Sequence, residues 1–377
     1  MSYLDLPIID IHIHVHPSTP DRSLPSLKRH EEVVQEIFDK TGNEAITLIA
    51  TGANGGNVKG NATHLDTPLG YYLKHKCPQK IYFFGARSRY QLHKELNTQE
   101  FYLEQAKFRH AAGCDGFKCL DGLTAIYKRL QTRLSDPSLD LYHEYLEQTG
   151  LPLLMHVGGP MEIFEKGSVI YTDEPGLPTL DELYQDVTEL MTKFPKMTLI
   201  LPHFFFMSRD LEKAEDMLNR WENLYFDLTP NIFMYYDFNK YPDQVVRSFF
   251  ERNCGKIIYG TDTFLETDIR PIPLQVEVVR DYFEKEHSEF LSSMNIRTLP
   301  LEPDILKKMY RDNFMKLVEP KPRPVSPAHV IRECSDLLAY ESFMDPQHIA
   351  YKSFLNENDT LLLQEIISYF KNMGGQR

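Results

Sequence analysis

The chain has 377 residues, with 41 Lys and Arg against 54 Asp and Glu, so its formal charge is −13. That balance repels phosphate backbones and argues against a nucleic-acid partner, and no apolar run approaches the ~18 residues that a membrane span needs. A hydrophobic share of 42% excludes disorder as the main state, and the length suits one large barrel.

The opening residues, Met1-Ser2-Tyr3-Leu4-Asp5, lack the basic and apolar regions of a signal peptide. The five cysteines, Cys77, Cys114, Cys119, Cys254 and Cys334, are scattered and form no C-x-x-C pair. This speaks against a disulfide framework or a structural zinc site. The expectation is a soluble, cytoplasmic protein with reduced thiols.

Eight short apolar runs read as strands: Ile8–His14, Ala45–Ala50, Ile81–Gly85, Gly116–Cys119, Pro152–His156, Thr198–His203, Leu224–Leu228 and Lys256–Gly260. Between them lie amphipathic stretches; Glu100–Ala112, Asp181–Phe194 and Leu211–Trp221 carry apolar residues at helical spacing. Strands alternating with helices predict parallel βαβ units, and eight of them predict a (β/α)₈ TIM barrel. Two long loops, Thr51–Asn61 and Val157–Pro178, follow strands 2 and 5, on the face where such barrels place their active sites.

The texture changes after residue 318. The run Glu319-Pro320-Lys321-Pro322-Arg323-Pro324 is a stiff link. Residues 327–377 then read as helical, with Asp359 placed to cap a last helix striped by Leu362, Leu363, Ile366, Ile367 and Phe370. The division expected is a barrel over 1–318 and a helical C-terminal extension over 319–377. An extension this small should dock on the barrel or on a second subunit, which leaves a homodimer open.

The first strand carries the strongest chemical pattern. Asp10, His12, His14 and His16 alternate with Ile9, Ile11, Ile13 and Val15. Period two sends the two sets to opposite faces, so the polar set should point into the barrel and the apolar set toward the helices. His12 and His14, about 6.7 Å apart along a strand, could converge on one ion. His16, just before Pro17, reads as a supporting or solvent residue.

Later strands end in polar residues at matching places: Lys118 and Cys119 on strand 4, His156 on strand 5, His203 on strand 6, Asp227 on strand 7 and Asp262 after strand 8. Barrel enzymes place their catalytic groups at such C-terminal strand ends. Lys118 and Cys119 are neighbours, so only one can face the pocket, and Cys119 reads as a packed thiol. No G-x-S-x-G, H-E-x-x-H, P-loop or G-x-G-x-x-G motif competes.

Taken together, Asp10-x-His12-x-His14, Leu151-Pro152-Leu153-Leu154-Met155-His156, Ile200-Leu201-Pro202-His203, Tyr259-Gly260-Thr261-Asp262 and Met309-Tyr310-Arg311-Asp312-Asn313-Phe314 resemble the amidohydrolase superfamily. The resemblance is to its amidohydrolase-related branch, which includes aminocarboxymuconate-semialdehyde decarboxylase, resorcylate-type decarboxylases and several lactonases. It covers roughly residues 5–318.

The resemblance implies His12, His14, His156 and Asp262 as metal ligands, His203 as an acid/base, and Asp262 as acceptor of a water proton. It implies a divalent ion, zinc before manganese, and one ion before two. Lys118 departs from the mononuclear members. It fits the place of a carbamylated lysine in binuclear members, or else it holds a substrate carboxylate as an ammonium. The expected activity is hydrolysis of a small carboxylated or cyclic ester or amide. Decarboxylation of a small aromatic acid is the second reading, with Phe204-Phe205-Phe206 and Tyr235-Tyr236-Phe238 as a planar setting. A non-catalytic binding barrel is the third.

Overall fold

The structure, a computed structural model, describes residues 3–15, 26–51, 65–88, 97–124, 127, 132–159, 177–230, 232–265, 273–340 and 357–374. Most of the two long loops, and His16, lie outside the described residues.

Nine parallel strands form one sheet: β1 (Ile9–His14), β2 (Ala45–Ile49), β3 (Ile81–Ala86), β4 (Gly116–Leu123), β5 (Leu153–Gly158), β6 (Leu199–Leu201), β7 (Leu224–Asp227), β8 (Ile257–Ile258) and β9 (Thr263–Phe264). Their order is β8-β7-β6-β5-β4-β3-β2-β1-β9. Only Tyr259–Asp262 separates β8 from β9, so the ring closes through an eighth strand broken in two. The Ile11 amide donates to the Tyr259 carbonyl across the seam at 3.2 Å. This is the expected (β/α)₈ barrel, with the short β9 added beyond Gly260, where the predicted eighth strand ends.

The helices that pack outside follow local rules. Helix α1 (Leu27–Thr41) begins at Ser26, whose side chain accepts from the Arg29 amide, and ends at Gly42 in the left-handed region. Helix α2 spans Asp66–Lys76. Helix α3 (Gln99–Ala112) is capped by Thr98 and stopped by Gly113. Helix α4 covers Asp140–Thr149, and α5 (Leu180–Lys193) opens with a Thr179/Glu182 capping box. Then come α6 (Leu211–Arg220), α7 (Ile232–Phe238), α8 (Asp243–Asn253) and α9 (Leu274–Glu284).

The register of β1 corrects one expectation. Ile9 pairs with Ala45 and Asp10 with Ile46, but Ile13 pairs with Leu48, so β1 carries one extra residue. Strict alternation therefore fails at the bulge. Ile9 and Ile11 pack inside the barrel with Phe84, Leu154, Ile200 and Ile258, above Phe314, which plugs the bottom. Ile13 and Val15 instead face α1 and α2. Asp10 does not share the face of His12 and His14. Its carboxylate accepts from the Thr261 hydroxyl at 2.6 Å and the Thr261 amide at 3.2 Å, tying β1 to the break in strand 8.

Helices α10 (Pro327–Tyr340) and α11 (Glu357–Gly374) lie against α2 and α3. Asp359 falls inside the first turn of α11, so it is not the residue before the helix that the sequence suggested. Val330, Cys334, Leu362, Leu363, Ile366 and Phe370 join the cluster that contains Leu69 and Ala112. The buried Arg109 and the partly buried Glu333 form an ion pair at 2.8 Å. The stiff link is fixed too: Arg323 donates its amide to Asp115 at 2.8 Å, and Ser326 donates to the Ala112 carbonyl at 3.0 Å. Gly113, with φ +111°, lies so close under Pro324 that a Cβ would overlap the Pro324 carbonyl.

Candidate metal centre

The bulge in β1 turns His12 inward directly after Ile11, and His14 follows two residues later. Their Nε2 atoms lie 3.3 Å apart. The break in strand 8 brings the third group. Asp262 adopts φ +59°, and its Oδ1 sits 2.9 Å from His14 Nε2 and 3.4 Å from His12 Nε2. The ligand atoms of these three residues all lie within 4.8 Å of one another. His12 is sealed, while the Asp262 side chain is 28% exposed, so the cluster opens to solvent on the Asp262 side.

His12 is held from behind. Its Nδ1 donates to Asp227 Oδ2 at 2.8 Å, which leaves the Nε2 lone pair directed at His14 and Asp262. Asp227 Oδ1 accepts from the His203 amide at 2.9 Å and the Thr229 amide at 3.0 Å, and also from the Thr229 hydroxyl.

His203 does not end a strand. It starts a left-handed turn in which His203, Phe204, Phe205 and Phe206 have φ of 57°, 55°, 51° and 53°. Side-chain sterics disfavour that conformation by about 1–2 kcal/mol per residue, so the surroundings must impose it. Phe204 packs among Phe226, Phe238 and Phe249, and Phe205 against Tyr184 and Phe226. The Tyr184 hydroxyl donates to the Phe206 carbonyl at 3.2 Å. The turn sets the His203 ring 5.9 Å from His12 and 4.9 Å from His156 between centroids, with Phe206 stacked on it at 5.2 Å.

His156, on β5, therefore touches His203 and stands outside the three-residue cluster. Its Nε2 and the His203 Nδ1 are both buried without a hydrogen-bond partner. Lys118, on β4, points inward and is fully buried, with Nζ 3.3 Å from His12 Nε2. Cys119 is packed on the helix side. All six predicted residues thus gather at one end of the barrel, and the contribution of Asp227 becomes visible only in the assembled site.

Charge follows burial. Desolvation pulls His12 and His156 well below the ordinary imidazole range and lowers His14 against the pull of Asp262, which favours neutral rings with free lone pairs. Burial also brings Lys118 down to about 8, against the attraction of Asp262 and Asp227. Burial pushes Asp262 up, but the His14 hydrogen bond and the nearby imidazoles outweigh it and hold the carboxyl below its usual range. Two neutral imidazoles and a carboxylate form a donor set that suits a borderline divalent cation. The orphaned nitrogens of His156 and His203 leave further donors beside it.

A parallel barrel with imidazole, carboxylate and lysine groups gathered at its C-terminal strand ends has the layout of a barrel enzyme's active face. The profile of the amidohydrolase family matches residues 99–318, more than half of the chain, and the chain belongs to that family. It is accordingly an enzyme of the type whose members are metal-dependent hydrolases or decarboxylases. No curated protein matches the sequence.

Among solved structures, an uncharacterised TIM-barrel protein from Bordetella bronchiseptica is 16% identical, with a TM-score of 0.53 over 83% of this chain and 98% of that one. A putative amidohydrolase from Staphylococcus aureus is 13% identical, with a TM-score of 0.51 over 83% and 99%. A 2,6-dihydroxybenzoate decarboxylase in complex with 2,6-dihydroxybenzoate is 14% identical, with a TM-score of 0.48 over 83% and 99%. The first two likenesses establish the barrel fold.

Proposed function

We propose that the protein is a hydrolase that uses one divalent ion, zinc before manganese, to open a small carboxylated or cyclic ester or amide with water. The observation that carries this reading is the convergence of His12, His14 and Asp262 within 4.8 Å, in a chain of the amidohydrolase family. When bound, the ion supplies Lewis-acid polarisation of a carbonyl and lowers the pKa of a water toward neutrality.

The protein's own groups do the rest. His12 and His14 present lone pairs, with His156 as the fourth ligand in reach of its neighbour His203. Asp262, held ionised, accepts a proton from the attacking water and faces the solvent side. The unpartnered Nδ1 of His203 is available to donate to, or accept from, the leaving group. Lys118 holds a substrate carboxylate, which offsets its buried charge.

Decarboxylation of a small aromatic acid is the second reading. It is favoured by flat aromatic faces at the site: Phe206 on His203, and Phe264 stacked on His14 at 4.7 Å. The substrate is a small molecule, and a homodimer remains compatible with the docked extension. The cytoplasm suits five free thiols, and among the described residues no helix is long and apolar enough to cross a membrane.

The test is to load the protein with zinc or manganese and offer it lactones, N-acyl amino acids and hydroxybenzoates, following acid release and carbon dioxide separately. Metal-dependent acid release supports hydrolysis. Carbon dioxide without acid release replaces it by the second reading, and inertness of the loaded protein across the panel overturns both.

A further inference from the structure

We propose that Asp227 is a positioning residue that couples the metal ligands to His203, so that ion binding and the placement of His203 stabilise one another. The inference rests on the metal reading of His12, His14 and Asp262 and adds a linkage within that site. Asp227 is fully buried, and its two oxygens serve different partners. Oδ2 accepts from His12 Nδ1 at 2.8 Å, and Oδ1 accepts from the His203 amide at 2.9 Å. Thr229 adds a third arm, since its amide donates to Oδ1 at 3.0 Å and its hydroxyl stands 3.1 Å from the His203 amide.

A carboxylate is planar and rigid, so displacement of one oxygen moves the other. A cation on His12 Nε2 draws electron density from the ring and strengthens Nδ1–H donation to Oδ2. That fixes the carboxylate and, through Oδ1, the first residue of a left-handed turn that has no glycine to relieve it. Linkage makes the effect reciprocal: a well-formed turn must favour the ion by the same factor. Buried as it is, Asp227 has no solvent to replace a lost partner.

Asn at this position discriminates sharply. If its amide oxygen replaces Oδ1, its NH₂ group meets His12 Nδ1 and forces the proton onto Nε2, the ligand atom. If the amide turns over, NH₂ meets the His203 N–H, donor against donor. One arm breaks in either orientation.

The experiment uses the full chain with Co²⁺ alone as probe. Affinity is read from the visible absorption band under chelator competition, and the turn from amide hydrogen exchange over residues 203–207. In wild type, Co²⁺ is expected to slow exchange in that segment. Asp227→Asn is expected to weaken Co²⁺ by about 10–100-fold and to abolish the Co²⁺-dependent protection.

His203→Ala separates this route from direct ligation by the ring. The protection persists in that variant if Asp227 carries the coupling, and its disappearance overturns the proposal. Should Asp227→Asn fail to fold, Thr229→Val takes its place; it is expected to weaken Co²⁺ and speed exchange together, and unchanged values of both overturn the proposal. Equal Co²⁺ affinity in wild type and a folded Asp227→Asn overturns the coupling alone. A wild type that binds no Co²⁺ overturns the coupling together with the metal reading.

Discussion

Lys118 Nζ lies 3.3 Å from His12 Nε2, the nitrogen that also faces His14 and Asp262. A bare ammonium there competes with a divalent ion for the same lone pair, and its burial disfavours the charge further. A substrate carboxylate or a carbamate would relieve the conflict. With the carboxylate, Lys118→Ala is expected to raise KM for a carboxylated substrate by at least about tenfold, while metal content stays near one ion per chain. Loss of a second metal equivalent, with bicarbonate-dependent loading in wild type only, would show carbamylation and a two-ion site.

The paired imidazoles give the most direct test of the metal centre. His12→Ala combined with His14→Ala removes two of the three converging donors. Zinc should then no longer raise Tm, whereas in wild type an ion at about a thousand times its Kd adds roughly 4 kcal/mol. Retention of a full equivalent of tightly bound metal by the double variant would sink the assignment.

The docking of the extension is tested at Glu333. Glu333→Gln leaves the buried Arg109 without its counter-charge, which is expected to destabilise the fold by on the order of 3 kcal/mol. Truncation after Val318 uncovers the faces of α2 and α3 that α10 and α11 bury, and should lower Tm further. Unchanged melting of the truncated chain would mean that the extension contributes nothing to the barrel.

The left-handed turn pits strain against packing. Phe204→Gly releases about 1–2 kcal/mol of backbone strain but removes a ring surrounded by Phe226, Phe238 and Phe249, a loss of about 3–5 kcal/mol. Chemical denaturation should therefore show net destabilisation of roughly 1–4 kcal/mol. A more stable variant would show that packing is not what holds His203 in place.

The strand plan was legible because apolar runs bounded by turn residues are local signals. All eight predicted strands meet their observed counterparts within a few residues, and helices α3, α5 and α6 begin within one residue of their predicted starts. The H-x-H pair and the polar strand ends were legible for the same reason: each stands out against its own apolar run. The eighth predicted strand stops at Gly260, and nothing in Tyr259-Gly260-Thr261-Asp262 announces the short β9 that follows, which depends on pairing with β1.

By itself, then, the sequence determined a parallel eight-unit barrel, the end of it that carries chemistry, and the residue types gathered there. Only the tertiary structure decided how those residues meet. The bulge in β1 turns His12 inward and Asp10 away, because register is set against β2 and the broken strand rather than by alternation. Four residues from His203 to Phe206 become left-handed although none is glycine, because distant aromatic rings and Asp227 enforce a conformation that the local chain disfavours. Asp227 itself is an ordinary strand-end carboxylate in the sequence, and its part in the site exists only once the barrel brings the ends of β1, β6 and β7 together.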